Sequence, residues 1–147
     1  MDHVEKALEY FSRRFHCSQA VLAAFADDVG LTEEQALKLG GCFGGGMCEG
    51  EVCGACTGAL MALGLKYGQS RTGDLESRKK TNDVTVDMLE QFRAENGATL
   101  CRELLGCDLM TEEGKQTAIS RNLFTEFCPK MVASAAAICE RLMQDEA

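Results

Sequence analysis

The chain contains no tryptophan and a single proline, and aromatic residues make up only 6% of its 147 residues. Basic residues are also scarce, since 15 Lys and Arg stand against 23 Asp and Glu, for a formal net charge of −8. A protein that binds duplex nucleic acid needs cationic surface to displace phosphate counterions, and base stacking needs aromatic side chains. The composition therefore predicts that nucleic acid is not a partner.

Long apolar runs are absent as well. No stretch approaches the roughly 20 apolar residues that a membrane-spanning helix needs. The first residues, Met1 to Lys6, are polar and mixed in charge, without the basic segment and apolar core of a secretory signal. We therefore expect a cytoplasmic protein that does not bind a membrane.

Cysteine, by contrast, is abundant. Nine Cys are present, and an odd number excludes a framework in which every Cys is paired within one chain. A chain of this length can bury a core without disulfides, so we predict a single cysteine-rich domain over residues 1–147. In a reducing compartment, many Cys indicate metal ligation or redox chemistry, although some serve as small buried hydrophobes.

The distribution of apolar residues predicts an all-α fold, a compact bundle of six or seven helices. Apolar residues recur at helical spacing between glycines, and no segment shows strand alternation. Residues 107–126 give the weakest pattern. The first expected helix carries Val4, Leu8, Phe11 and Phe15, the second is capped by Ser18 and ended by Gly30, and the third follows a Thr32–Gln35 capping box. Three more helices are expected over about 52–67, 75–96 and 100–105. The last expected helix has Pro129 in its first turn.

A glycine-rich loop precedes the helix expected at 52–67. Six of the eleven residues in 40–50 are Gly, and the helix itself carries small residues such as Gly54 and Gly58. Such residues allow close approach of a neighbour, which must offset about 1 kcal/mol for each Gly in a helix interior. A phosphate cradle is not supported, because no Gly-Lys-Ser/Thr sequence follows the loop and no strand precedes it.

Four cysteines fall near predicted helix N-termini. Cys17 precedes the Ser18 cap, Cys53 begins the small-residue helix, Cys101 follows Thr99, and Cys128 precedes Pro129. A helix N-terminus carries partial positive charge and free N–H groups, which lower a thiol pKa. The thiolate is the form that attacks disulfides and binds metals, so these four cysteines are the predicted site.

Cys53 and Cys56 also form a Cys-Gly-Ala-Cys sequence, whose spacing serves thiol–disulfide exchange or metal ligation. The absence of a second CxxC argues against a zinc ribbon, and the absence of a βαβ pattern argues against a thioredoxin fold. In the exchange interpretation, Cys53 is the attacking thiolate and Cys56 the resolving thiol.

The remaining cysteines are assigned lesser roles. Cys42 and Cys48 in the glycine-rich loop, and Cys107 further on, are auxiliary candidates, whereas Cys139 lies on the apolar stripe of the last helix and is expected in the core. His16 adjoins Cys17 and either ligates the site or is a surface or cap residue.

These residues resemble the C-GCAxxG-C-C family of redox-active proteins. The similarity rests on Cys17, the segment Cys53-Gly54-Ala55-Cys56-Thr57-Gly58, Cys101 and Cys128, and it extends over residues 44–68 and 101–106. The resemblance implies redox activity, with an iron–sulfur cluster suggested for members and genes for transport or oxidoreductase proteins often nearby. The family's four shared cysteines correspond here to Cys17, Cys53, Cys101 and Cys128.

Three functional hypotheses follow. In the leading one, Cys17, Cys53, Cys101 and Cys128 bind a metal centre, most simply an iron–sulfur cluster in electron transfer with an oxidoreductase or electron-transfer partner. The second is a cofactor-free thiol–disulfide oxidoreductase that uses Cys53 and Cys56. The third is a module that holds zinc or binds a partner without turnover. A homodimer that shares its site between two chains is compatible with each of them.

Overall fold

The computed structural model describes residues 1–144, and these residues form eight α-helices without a β-strand. The all-α prediction is therefore confirmed, although the predicted number of helices was too low by at least one. The helices are α1 (His3–Ser12), α2 (Cys17–Ala24), α3 (Glu33–Leu39), α4 (Gly54–Tyr67), α5 (Leu75–Asn96), α6 (Cys101–Leu105), α7 (Glu112–Ser120) and α8 (Cys128–Gln144). None of these helices is long and apolar enough to cross a membrane.

The additional helix is α7, which lies in the segment where the sequence pattern was weakest. Thr111 caps it, with its hydroxyl accepting a hydrogen bond from the Gly114 N–H at 2.9 Å. Gly114 lowers the helix propensity but is needed there, because a Cβ at this position would clash with the Asp108 carbonyl. A tight helical turn, Leu123–Phe127, then leads directly into α8.

The start of α2 differs from the prediction. His16, not Ser18, is the N-cap residue, and its backbone N–H donates to the Gln19 side chain at 2.8 Å. Ser18 is fully buried inside the helix, where its hydroxyl donates to the Gly40 carbonyl at 2.7 Å. The helix also ends at Ala24 instead of continuing to Gly30, which terminates a separate short turn.

Helices α2 and α4 pack with almost no side chain between them. A Cβ on Gly58 would lie 2.6 Å from the Ser18 carbonyl oxygen, and a Cβ on Gly54 would lie 3.3 Å from the Cys17 Cβ. The small-residue face of α4 is therefore a contact surface, as the sequence predicted. It places the start of α2 against the start of α4.

Around this contact, α1, α5 and α8 complete the core. The apolar stripe predicted for the last helix is buried, and Cys139 within it is fully buried, with its thiol donating to the Ala59 carbonyl at 3.7 Å. Helix α1 ends at Ser12, so Phe15, which was expected on its apolar stripe, lies in the connection to α2, just after Arg14 at a positive φ of 71°.

The glycine-rich segment contains a left-handed turn. Gly45, Gly46, Met47 and Cys48 all have φ between 61° and 64°. Glycine adopts this conformation freely, but each L-residue with a side chain costs about 1–2 kcal/mol there. Met47 and Cys48 are therefore strained, and the turn is held by a hydrogen bond from the Glu51 N–H to the Gly46 carbonyl at 3.1 Å.

Candidate functional site

All four cysteines predicted to form the site begin helices. Cys17, Cys101 and Cys128 are the first residues of α2, α6 and α8, and Cys53 is the N-cap residue of α4. Their positions in the sequence span more than a hundred residues. The fold nevertheless brings all four to one cavity of about 110 Å³.

A short backbone ladder brings two of these helix starts together. Val52 and Leu100 form an isolated antiparallel bridge, in which the Cys53 N–H donates to the Thr99 carbonyl at 2.8 Å. The Cys101 N–H donates to the Glu51 carbonyl at 2.7 Å. The N-termini of α4 and α6 are thereby fixed side by side, with Cys53 and Cys101 in the same cavity.

The rest of the cavity wall is mainly aromatic and aliphatic. Four of the seven Phe in the chain line it, and they come from α1, the connection after α1 and the turn before α8: Phe11, Phe15, Phe124 and Phe127. His16 and Gly45 also contribute, and no lining residue is acidic. Sequence reasoning missed this wall. Its only signal was that aromatics are rare and lie close to Cys17 and Cys128.

The thiol pKa values separate Cys128 from the other three. Hydrogen bonding with Cys17 lowers the pKa of the Cys128 thiol, and the same interaction, followed by burial, raises the pKa of Cys17. Burial raises the pKa of Cys53 to about 11, although the backbone N–H groups of Ala55 and Cys56 oppose it. Burial, and to a lesser extent the charge of neighbouring cysteines, raises the pKa of Cys101 to about 12.

The expectation that helix N-termini lower all four thiol pKa values is therefore wrong for Cys17, Cys53 and Cys101. A helix N-terminus favours the thiolate, but removing a thiolate from water costs more than the partial charge of the helix returns. Among these four cysteines, Cys128 alone has a lowered pKa, because the Cys17 thiol is placed to donate to it. The site thus contains one thiol whose pKa is lowered and three whose pKa values are raised.

The other cysteines are placed differently. Cys56 is fully buried and is not among the residues that line the cavity, and burial raises its pKa. Cys42 and Cys48 are exposed on the glycine-rich segment, and Cys107 is half-buried beside Cys101 and Cys128. The structure thus separates Cys53, which lines the cavity, from its CxxC partner.

Sulfur donors in an apolar cavity suit a soft metal or an iron–sulfur cluster. The side chains that carry these donors are not arranged to surround such a group, however. Within residues 1–144, no three or more His, Cys, Asp or Glu side chains are disposed to hold a metal ion as they stand. The donor chemistry fits a metal centre, whereas the positions of the sulfur atoms would have to change to form one.

The architecture and the site define a class: an all-α protein whose helix N-termini converge with four cysteines on an apolar cavity. A family model matches residues 15–142, and its description is "Putative redox-active protein (C_GCAxxG_C_C)". The match covers most of the chain and includes all four cysteines of the cavity, so the chain belongs to this family. Neither the curated proteins nor the solved structures include a match to this chain.

Proposed function

We propose that this protein carries out thiol–disulfide redox chemistry, with Cys128 and Cys17 as the reacting pair. The observation that carries the proposal is that these two thiols line the four-cysteine cavity and pack in one cluster, and that hydrogen bonding with Cys17 lowers the pKa of Cys128. A thiolate stabilised by a neighbouring thiol at a helix start favours thiol–disulfide exchange, in which the thiolate is the attacking form.

The chemistry proceeds in two exchanges. The Cys128 thiolate attacks one sulfur of a substrate disulfide, whose S–S bond breaks, and the first substrate thiolate leaves and takes up a proton. Cys17 then loses its proton and attacks the Cys128 sulfur, which releases the second substrate thiolate. The substrate gains two electrons, and the Cys17–Cys128 disulfide is the oxidised product. A reduced oxidoreductase or electron-transfer partner would return the pair to its dithiol form.

A second candidate function is a metal centre held by Cys17, Cys53, Cys101 and Cys128, either an iron–sulfur cluster or zinc. One observation favours it: Cys53 and Cys101 line the same cavity, although the dithiol chemistry gives them no role. A bound cluster would supply one-electron transfer, whereas zinc would supply a structural link or a partner-binding surface. The buried thiols would have to lose their protons on binding.

Serine substitutions distinguish the two candidates. Protein purified without oxygen is analysed for iron, acid-labile sulfide and zinc, and is then oxidised by one equivalent of a small disulfide. For the dithiol pair we expect the loss of two free thiols and a Cys17–Cys128 disulfide in peptide mass mapping. Cys17→Ser and Cys128→Ser should abolish that disulfide, whereas Cys53→Ser and Cys101→Ser should leave it.

The metal centre predicts the opposite pattern, in which all four substitutions lower the bound iron or zinc to a similar extent. Cys42→Ser is the matched control, because this thiol is exposed on the glycine-rich segment. Cys56→Ser examines the CxxC pair expected from the sequence. If the disulfide mapped after oxidation joins Cys53 to Cys56, the assignment of Cys17 and Cys128 is wrong, although the protein remains a thiol oxidoreductase.

A further inference from the structure

A second, larger cavity opens beside the four-cysteine cavity. It has a volume of about 510 Å³, within the range of small-molecule sites. Four residues line both cavities: His16, Gly45, Leu109 and Phe124. We call this second cavity the groove. Because the two share a wall, a molecule that lies in the groove has the cysteine cavity immediately next to it.

The lining of the groove is positively charged, whereas the chain as a whole has a negative net charge. The sequence carries a net charge of −8, yet none of the residues that line the groove is acidic, and Lys115 supplies a cation. Lys115 forms no ion pair with any residue in the described part of the chain. An unpaired ammonium group in an otherwise uncharged groove attracts an anion.

A different cavity of the molecule has the contrasting charge pattern. The cavity between α1, α2 and the start of α3 is lined by Glu9, Asp27 and Glu33 together with Lys6 and Arg13. Its charges of both signs compensate one another. The groove has no such compensation, so an anionic small molecule that lies in it meets no lining carboxylate.

The groove also has an exposed apolar side. Met110, Ile119 and Phe124 are 59%, 56% and 39% exposed, respectively, and all three line the groove. Large apolar side chains that share one concave surface at this exposure are typical of binding sites. A ligand of the groove should therefore combine an apolar portion with a negative charge.

We propose that the groove is the substrate site of the cysteine cavity, and that its substrate is a small disulfide that carries a carboxylate next to an apolar group. The carboxylate pairs with Lys115, the apolar portion covers Ile119 and Phe124, and the disulfide reaches Cys128. This inference rests on the proposed function. The electron balance is that of the exchange above: the substrate S–S bond breaks, the Cys17–Cys128 bond forms, the substrate gains two electrons, and the proton that Cys17 loses and one proton from water pass to the departing thiolates.

The first experiment compares an anionic and a neutral aromatic disulfide. The anionic probe is 5,5′-dithiobis(2-nitrobenzoate), and the neutral one is 2,2′-dithiodipyridine. Both react with a Cys42→Ser/Cys48→Ser background, which removes the two exposed thiols, and the site of reaction is mapped by mass spectrometry after rapid quenching. The measured quantity is the second-order rate constant for formation of the Cys17–Cys128 disulfide.

We expect Lys115→Gln to lower the rate with the anionic probe about fivefold at low salt, and Lys115→Glu to lower it further, while the neutral probe changes less than about twofold. The matched control is Lys38→Gln, which removes a lysine on α3 that is exposed away from the groove and should change neither rate. Equal effects of Lys115→Gln on both probes, or no effect on either, would overturn the inference.

The second experiment separates this inference from the proposed function. The probe is 4,4′-thiodibenzoate, a thioether with the carboxylates and aromatic rings of the substrate class but no disulfide to reduce. Its binding is followed by NMR chemical-shift changes in the wild type and in Cys17→Ser. We expect weak binding to both, with the largest shifts at residues 109–124 and at least a threefold loss of affinity in Lys115→Gln.

The combination of results is decisive. Lys115-dependent binding of the thioether, without any Cys17–Cys128 disulfide in the first experiment, would refute the proposed redox pair and leave the groove as an anion site. Formation of the disulfide at rates that do not depend on Lys115, without binding of the thioether, would refute the substrate class and leave the redox pair in place.

Discussion

The contact between α2 and α4 allows a quantitative prediction from two glycines on the same helix. Gly58 faces α2, and a Cβ added there would lie 2.6 Å from the Ser18 carbonyl oxygen and 3.1 Å from the Ser18 Cα. Gly64 lies six residues later on α4, and a Cβ added there meets no atom within 4 Å. The Gly→Ala substitution is the same at both positions, so only the surroundings differ.

At Gly64, alanine removes the conformational cost of glycine in a helix interior, which is worth about 1 kcal/mol of added stability. At Gly58 the same gain is outweighed, because backbone atoms of α2 must retreat and an overpacked core costs about 1–3 kcal/mol. The retreat also strains the buried hydrogen bond from Ser18 to Gly40. We therefore expect Gly58→Ala to lose about 1–2 kcal/mol and Gly64→Ala to gain up to about 1 kcal/mol.

Urea unfolding followed by far-UV circular dichroism measures both free energies, with the reduced protein kept under reducing conditions. The expected difference between the two variants is about 1–3 kcal/mol, which linear extrapolation of the two unfolding curves resolves. If Gly58→Ala is as stable as Gly64→Ala, the close packing of α2 on α4 is refuted. The position of Cys17 against the start of α4 would then lose its structural support.

Two other substitutions test local features. When it is protonated, His3 donates from both ring nitrogens, to Glu140 and to Asp28, each at 2.7 Å. Burial lowers its pKa, but these hydrogen bonds and carboxylate charges outweigh burial, so the pKa is raised overall. His3→Asn should therefore cost about 1 kcal/mol at pH 6, and less as the pH rises through the raised pKa of His3, which pH-dependent urea unfolding would show. A cost that grows above pH 7 would contradict this. Met47→Gly should raise the free energy of unfolding by about 0.5–1 kcal/mol, because it relieves a positive φ at a partly exposed position; a loss of stability in the same assay would mean that the left-handed turn is not strained.

Local signals in the sequence were sufficient where a helix has its own caps. Helix α5 runs from Leu75 to Asn96, as predicted, because Asp74 caps its start and Gly97 adopts a left-handed conformation after its end. The capping box of Thr32 and Gln35 is likewise confirmed. Each of these interactions joins residues a few positions apart, so the local sequence is sufficient to predict them.

Prediction failed where tertiary contacts decide the conformation. Ser18 has the side chain of a good N-cap residue, but the approach of Gly58 and the carbonyl of Gly40 draw it into the core. Gly114 weakens the helical pattern of α7, yet it is required by the nearby Asp108 carbonyl. Neither neighbour can be inferred from the sequence around these residues.

The four cysteines of the cavity were found from their positions at helix starts and from the family resemblance. Their pKa values were not, because burial depends on the assembled fold. The groove was missed for the same reason. Lys115, Ile119 and Phe124 come from the segment with the weakest sequence pattern, and only the packing of that segment against the glycine-rich turn places them beside the cysteines.

The proposed disulfide between Cys17 and Cys128 would connect the redox state to the stability of the fold. A bond between them would close a loop of about 110 residues, and closing such a loop in an unfolded chain costs nearly 5 kcal/mol in entropy. The folded protein has already brought the two residues together, so this cost disappears. This difference corresponds to a reduction potential about 100 mV lower for the disulfide in the native fold than in the unfolded chain. By the same linkage, oxidation would make the protein harder to unfold, and heat resistance would report the redox state of the pair.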